Sequence, residues 1–481
     1  MLHTVAPGTR IATIIGSIAL GVGVALFSVL NPDVGALAVV GSLVLAASLA
    51  LAGSRAGVRS LSLVRSMQWW DWLWVALFFS GLTWRVRSAV EIYAEPLDVY
   101  ALVRIGVVGA VGLVALARIL TTDAEALDAL RRPAIAFLSA FAVFGLFTTL
   151  WSVYPEWTLY KSVEYLVDIL VLLVVLSRLR SLSDVARLAN VTWLCLGMLV
   201  VSVWAGVVAA PGIAILRHVG PLGMQIQGVW PALSANTVGD LGAILAVVGL
   251  HRILTRKTLR GVWASVAALG VVTALFAQSR SPLIALVAGG LLVFVLERKA
   301  LSLVGAGVLA ALVSTSSFVA VIVEYMRRGQ SAEMLTTLSG RVYFWKYLWE
   351  LFLASPVAGY GAYAGGRFAV LAAMGYALTS SVHNSYLEVM IGTGIVGLFL
   401  LVGALVSVSA GLTRALSRLA SDDSLRSLVV EVAALFLLEL MRAFFSSGPL
   451  IWHPATRFLL VIAVVEYATR HLRREGGDAR D

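Results

Sequence analysis

A histidine, an asparagine and a glutamate stand at the mouth of one apolar run, in the stretch SSVHNSYLEVMIGTGIVG at residues 380–397. Asn384 and Glu388 are four apart, so a helix places them on one face. His383, with a carboxylate about a turn away, is of the type that acts as a base near neutral pH. The plainer reading of the same residues is a helix cap and a surface anchor. Arginines offer a second chemistry. Arg217 lies among glycines and prolines in PGIAILRHVGPLGMQIQGVWP and is followed by Gly228 at an R-x10-G spacing. It is either a solvated loop residue or an anion clamp beside backbone that can approach a phosphate. Arg280 sits in the short turn AQSRSPL between two apolar runs, next to Gln278, Ser279 and Ser281. Snorkelling to the surface would satisfy it; buried, it needs an anion such as a lipid-linked phosphate.

Two further stretches carry polar groups. In SANTVGDLGAI, Ser234 suits a helix cap, whereas Asn236 and Asp240 share one helical face. A charge inside a membrane span is costly and normally faces a cavity. In SGRVYFWKYLWELFLASPVAGYG, Val342, Trp345, Leu348, Trp349 and Phe352 recur at helical spacing. The pattern predicts an amphipathic interfacial helix with Arg341 in its first turn. Ser355, Pro356, Gly359 and Gly361 should end it.

The elements that hold these groups must be membrane helices. The 481 residues are 60% hydrophobic and 13% charged, with a mean hydropathy of +0.93. Runs of roughly 20 apolar residues recur, the length a helix needs to cross a bilayer. They do not alternate as barrel strands do. The expected fold class is an all-α polytopic membrane protein of about 14 transmembrane helices, with one large extracytoplasmic loop containing amphipathic helices. The spans fall at about 11–30, 34–53, 69–84, 99–117, 133–151, 159–176, 191–210, 233–250, 261–277, 282–296, 301–323, 384–410, 428–445 and 455–469. The net charge of +10 reflects basic loops that obey the positive-inside rule, not nucleic-acid binding. Both termini are then cytoplasmic. Residues 211–232, 278–281, 324–383 and 446–454 face outward, and 324–383 is the largest loop. The single cysteine, Cys195, excludes an intramolecular disulfide and a cysteine metal site. The chain shows no cleavable signal and no strong internal repeat.

Taken together, these stretches resemble the O-antigen ligase and polymerase family. The resemblance rests on WPALSANTVGDLGAI, QSRSPLIAL, SGRVYFWKYLWELFLASPVAGYGAY and HNSYLEVMIGTGIVGL, in that order along the chain. It covers about residues 130–470. It implies three parts: N-terminal helices over 1–130 that stand partly outside the family core, a ligase/polymerase-like membrane domain over 131–470, and a cytoplasmic tail over 471–481. The implied activity is an inverting, metal-independent glycosyltransferase of the bacterial cytoplasmic membrane, active in cell-surface polysaccharide biosynthesis. Its donor would be an undecaprenyl-pyrophosphate-linked glycan, its acceptor a glycan or lipid. It would work among membrane lipids and other polysaccharide-assembly proteins, without a cofactor. The resemblance assigns the catalytic role to His383 and the donor pyrophosphate to Arg217, Arg280 and Arg341. Asn236, Asp240, Asn384 and Glu388 would support them.

Two departures stand out. The R-x10-G spacing is missing after Arg341, and about two spans more than the usual twelve sit at the N-terminus. A transglycosylase of the cell-shape type would want an aspartate in the large loop, and 324–383 has none. The alternative is a transporter or flippase of lipid-linked oligosaccharide. That class calls for charges deep in several spans and for related halves; the groups above gather on one face instead.

Overall fold

The computed structural model describes residues 55–83, 91, 94–95, 97–121, 124–217, 222–256, 258–299, 318–327, 331, 337, 341–369, 382–421, 423–448 and 450–477. The expected spans 11–30 and 34–53, most of 301–323, and residues 370–381 of the large loop lie outside them. The described chain is helical: α1 (Arg55–Ser66), α2 (Trp69–Ser80), α3 (Val99–Thr121), α4 (Pro133–Phe147), α5 (Pro155–Arg178), α6 (Leu182–Ala209), α7 (Ala235–Thr255), α8 (Arg260–Phe276), α9 (Arg280–Leu296), α10 (Phe318–Arg327), α11 (Arg341–Ala354), α12 (Ser385–Arg418), α13 (Ser424–Ala443) and α14 (Thr456–Gly477). One two-stranded antiparallel hairpin, β1 (Ile215–Arg217) with β2 (Met224–Ile226), is added where the sequence reads as plain loop.

Among the described residues, five helices are long and apolar enough to cross a membrane: α3, α4 extended to Trp151, α6, α7 and α12. They match five of the expected spans. α8 and α9 are apolar but only 17 residues each. α5 and α13 differ for another reason. Each is of spanning length, yet α5 buries Lys161, Glu164 and Asp168, and α13 buries Glu431, Glu439 and Arg442. These buried charges are additional to the groups that the sequence singles out, and lie inside helices of spanning length.

The chain divides into two compact units. The first takes Trp193–Leu286 and Ser316–Gly329 among its segments. There α7 and α8 run close together because both carry glycine at the contact. A Cβ on Gly242 would lie 2.6 Å from Gly270 O, and one on Gly270 would lie 2.5 Å from Gly242 O; small residues let membrane helices approach this closely. The hairpin is tied to the end of α8 by Gln225 Nε2, which donates to Ala277 O at 2.7 Å, and by Gln278 Nε2, which donates to Met224 O.

The second unit includes Met67–Thr192 and Gln330–Asp481. Its centre is a contact of backbone on backbone. α12 leaves helical geometry at Gly394, with φ 62° and ψ −161°. That break frees helix backbone groups, and the Gly-rich turn after α11 takes them up. Tyr360 N donates to Ile391 O at 2.9 Å, Gly361 N to Gly392 O at 2.9 Å, and Ile395 N to Pro356 O at 2.8 Å. The approach excludes side chains: a Cβ on Gly359 would lie 2.6 Å from Ile391 O, and one on Gly394 would lie 2.1 Å from Val357 O. These glycines thus admit the turn. The far side of the turn is held by the α4–α5 connection. Val153 N donates to Tyr360 O at 3.0 Å, Trp151 Nε1 to Ala358 O at 3.1 Å, and Ala362 N to Thr148 Oγ1 at 2.9 Å.

α11 starts at Arg341 and stops before Ser355, as its sequence predicts. Its buried stripe is Phe344, Leu348 and Phe352, packed on Val382, Met390 and Ile391. Each large side chain buried there contributes roughly 1.5–3 kcal/mol. Leu348 and Phe352 are buried and Trp345 packs beside them as expected, but Val342 and Trp349, expected on that face, are 45% and 51% exposed, and Phe344 is buried in their place.

The glycine break yields a direct test. In Gly394→Ala the new methyl collides with the Val357 carbonyl at a φ that alanine avoids, costing roughly 1–3 kcal/mol or more. Gly197→Ala in α6, where nothing lies within 4 Å, should change stability little. Thermal unfolding in detergent compares them, and a Gly394→Ala protein that melts with the parent would show that the contact is dispensable.

Candidate active site

Within the second unit, the start of α12 gathers four of the residues singled out by sequence. Asn384 is the N-cap of α12: its Oδ1 accepts from Leu387 N at 3.0 Å. The capping reading is therefore correct for Asn384. His383, just before it, has φ +54°, a left-handed conformation uncommon for a non-glycine residue and often found at functional sites. Burial, and then the charge of Arg341, pushes its imidazole down from the usual 6.5 to about 4. His383 is thus neutral at pH 7, able to accept a hydrogen bond.

The turn after α13 is clasped by this cluster. Arg341 Nη1 donates to Phe445 O at 3.1 Å, Ser385 Oγ to Ser446 O at 2.8 Å, and Ser447 Oγ to Glu388 Oε2 at 3.1 Å. Glu388 is 2% exposed, and its Oε1 has no hydrogen-bond partner among the described residues. Beside it lies a cavity of about 10 Å³, lined also by Tyr363 and Thr393, room for about one water.

The first unit holds the other four. Arg280 opens α9, where its Nη2 donates to Arg327 O at 3.1 Å and its Nε to Met326 O. It caps the C-terminal carbonyls of α10, a favourable place for a cation. Ser279 Oγ donates to Asn236 Oδ1 at 2.5 Å, so the α8–α9 turn is fastened to the start of α7. Ser234 caps α7, accepting from Thr237 N, and Asp240 is buried one turn further on. Arg217 ends β1 and is exposed. The glutamines that fix the hairpin to residues 277–278 bring its strand onto the turn that carries Arg280.

A third group was not anticipated. Trp157, Lys161, Glu164 and Asp168 lie along one face of α5 at spacings of four, three and four, and all are buried. Arg104 of α3 grips Glu164 with two hydrogen bonds, Nε to Oε1 at 2.7 Å and Nη2 to Oε2 at 3.2 Å. Lys161 Nζ reaches Glu164 Oε2 at 2.7 Å. Arg367, in a π-type turn at Gly365–Ala369, stands over the rings of Trp157 and Trp452 at 4.9 and 5.6 Å. Such turns recur at functional sites. The signal was legible as charges at helical spacing inside an apolar run.

One part of this group has the geometry of a nucleophile triad. His453 Nε2 lies 2.8 Å from Ser80 Oγ, and His453 Nδ1 lies 2.8 Å from Asp168 Oδ1. The hydroxyl, however, also lies 2.7 Å from Leu77 O, a carbonyl at the end of α2. One proton cannot serve both partners. With Ser80 donating to Leu77 O, His453 donates from Nε2 and shares a second proton with Asp168. Asp168 Oδ2 also accepts from Ala455 N at 3.2 Å. In this arrangement Ser80 is an acceptor rather than an activated nucleophile, and the three residues lock the 450–455 segment onto α2 and α5.

Fold and site together define a helical membrane protein with polar, cation-bearing centres beside its helix ends. Residues 242–402 match the family model described as O-antigen ligase. On that stretch the chain is similar to the O-antigen ligase/polymerase-like family. The match takes in Arg280, Arg341, His383, Asn384 and Glu388, and leaves Arg217, Asn236, Asp240 and the α5 charges outside it. No curated protein matches the chain.

The imidazole predicts a pH response. Its folded pKa lies below the ordinary value, so between about pH 6.5 and 4 the unfolded chain takes up a proton that the folded chain refuses. Stability is lost as pH falls through that window and is unaffected by this group above it. His383→Gln should therefore lose less melting temperature than the parent between about pH 7 and about pH 5. Equal losses would place His383 in an ordinary, solvated setting.

Proposed function

We propose that the protein is a membrane glycosyltransferase that transfers or polymerises glycan from an undecaprenyl-pyrophosphate-linked donor at the outer face of the bacterial cytoplasmic membrane. The observation that carries this reading is the O-antigen ligase match over 242–402, within which a neutral His383 stands beside the Arg341 charge. The topology of about 14 spans with both termini inside belongs to the same reading.

An acceptor hydroxyl attacks the anomeric carbon of the donor sugar from the face opposite the pyrophosphate. The new C–O bond forms as the C–O bond to phosphate breaks, so the configuration inverts. The bonding pair leaves with the undecaprenyl pyrophosphate, whose growing charge guanidinium groups stabilise. The resemblance assigns this role to Arg217, Arg280 and Arg341, whose fixed charges take the place of a metal ion in this reading. His383 first accepts a hydrogen bond from the hydroxyl and takes its proton late, once the forming C–O bond has made that oxygen strongly acidic. With its pKa held near 4, it orients the nucleophile more than it ionises it. Asn384 and Glu388 fix the helix start that carries the histidine, Asn236 does the same for the Arg280 turn, and the resemblance gives Asp240 a supporting role.

Buried charges within α5 and α13 favour a second reading, a transporter of lipid-linked oligosaccharide, since such groups commonly line a membrane path. A deletion strain separates the two. Loss of a polymerase leaves single lipid-linked repeat units on the outer face, loss of a ligase leaves long lipid-linked chains there, and loss of a transporter leaves units inside. In complementation, His383→Ala should abolish transfer with normal membrane insertion. Arg280→Lys should be poorly tolerated, because an ammonium cannot span the two carbonyls that the guanidinium now bridges. Full activity of a well-expressed His383→Ala protein would remove the histidine from the mechanism.

A further inference from the structure

The α5 charge group holds polar atoms that the protein itself does not satisfy. Lys161 is 6% exposed and Trp157 4%. Among the described residues, the indole Nε1 atoms of Trp157 and Trp452 have no hydrogen-bond partner, and neither has Glu388 Oε1. The Lys161 ammonium makes one hydrogen bond, to Glu164. Its other N–H groups face aromatic rings, with Tyr160 at 4.0 Å, Trp157 at 5.1 Å and Trp452 at 5.6 Å. Native proteins rarely leave buried donors and acceptors empty. Here several unsatisfied atoms fall in one neighbourhood, joined by Arg367 over both indoles and by the Tyr363 ring against Trp452 at 5.5 Å.

Charge points the same way. Arg104 and Lys161 share the single carboxylate of Glu164, which leaves that trio one positive charge in excess. A buried excess charge is expensive until a counter-charge arrives. The unmet donors therefore ask for an oxyanion, and the unmet Glu388 oxygen asks for a hydroxyl. One ligand class offers both, a sugar bearing a carboxylate or a phosphate.

We propose that Lys161, Arg367, Trp157 and Trp452, with Glu388, form a binding subsite for an anionic saccharide residue. Its oxyanion meets the two cations and the indole N–H groups, while one of its hydroxyls donates to Glu388 Oε1. The half-buried Arg367 and Trp452 form the side by which the sugar enters. The subsite rests on the glycan-handling reading above and names the sugar chemistry that reading leaves open.

The test is binding by the full chain in detergent, followed by ligand-detected NMR titration. Three probes serve: a glucuronosyl disaccharide, its neutral glucosyl counterpart, and glucose 1-phosphate. Variants are Arg367→Gln and Trp452→Phe, the second keeping the ring's packing and deleting only the N–H. At least one anionic probe should bind, the neutral disaccharide about tenfold or more weakly, and each variant should weaken the anionic probe by about tenfold. Preference for the glucuronosyl probe places the subsite on the acceptor glycan, and preference for the phosphate places it on the donor sugar. Equal binding of the neutral probe, no binding of either anion, or variants that bind as the parent does would overturn the proposal. A protein that transfers glycan yet binds neither anion sinks the subsite alone. One that binds the anion without any transfer sinks the glycosyltransferase reading instead.

Discussion

The second unit depends on one contact, the seating of the 356–361 turn on the broken backbone of α12. A helix interrupted at Gly394 has groups that lipid cannot satisfy, and this turn satisfies them with its own. The same turn is stitched to the α4–α5 connection by Val153, Trp151 and Thr148. Through it, three pieces of chain far apart in sequence acquire a fixed mutual position: Arg341 and the stripe of α11, the His383–Glu388 start of α12, and the Trp157–Asp168 face of α5. Ion pairs and caps then refine a geometry that main-chain hydrogen bonds have already set.

Within each unit the polar groups divide by task. Asn384, Ser234 and Arg280 complete helix ends, and Ser80, His453 and Asp168 lock a segment in place. Those atoms have protein partners. His383 differs in being held neutral in a strained backbone next to a guanidinium. Glu388 differs in keeping one oxygen empty. The distinction is drawn by hydrogen-bond accounting rather than by residue type, since a carboxylate occurs on both sides of it, Asp168 on one and Glu388 on the other.

Much of this was readable in the sequence, for physical reasons. Apolar runs of spanning length fix α3, α4, α6, α7 and α12, because lipid permits little else. The start of α11 at Arg341 and the cap at Asn384 follow from local chemistry that needs no tertiary knowledge. The role of Gly392 and Gly394 was not legible, since a glycine tells that something approaches closely but not what. The face of α11 is legible in part: Leu348 and Phe352 are buried as expected, whereas Val342 and Trp349 are apolar yet 45% and 51% exposed; apolarity does not rank sides when both meet something greasy. The α5 charges were overlooked because the eye for spans averages hydropathy over the run. Such averaging hides Lys161, Glu164 and Asp168, although their spacing marks a single face. His453 and Arg367 join them only in three dimensions.

Both ends of the chain between Phe368 and Val382 are anchored. Phe368 stacks on Tyr154 with ring centroids 4.5 Å apart, and Val382 is fully buried in the α11 stripe with its carbonyl accepting from Trp345 Nε1. The two anchors are independent of each other, one an aromatic stack at the entrance of α5 and the other a valine seated under α11, so loosening either one leaves the other flank in place.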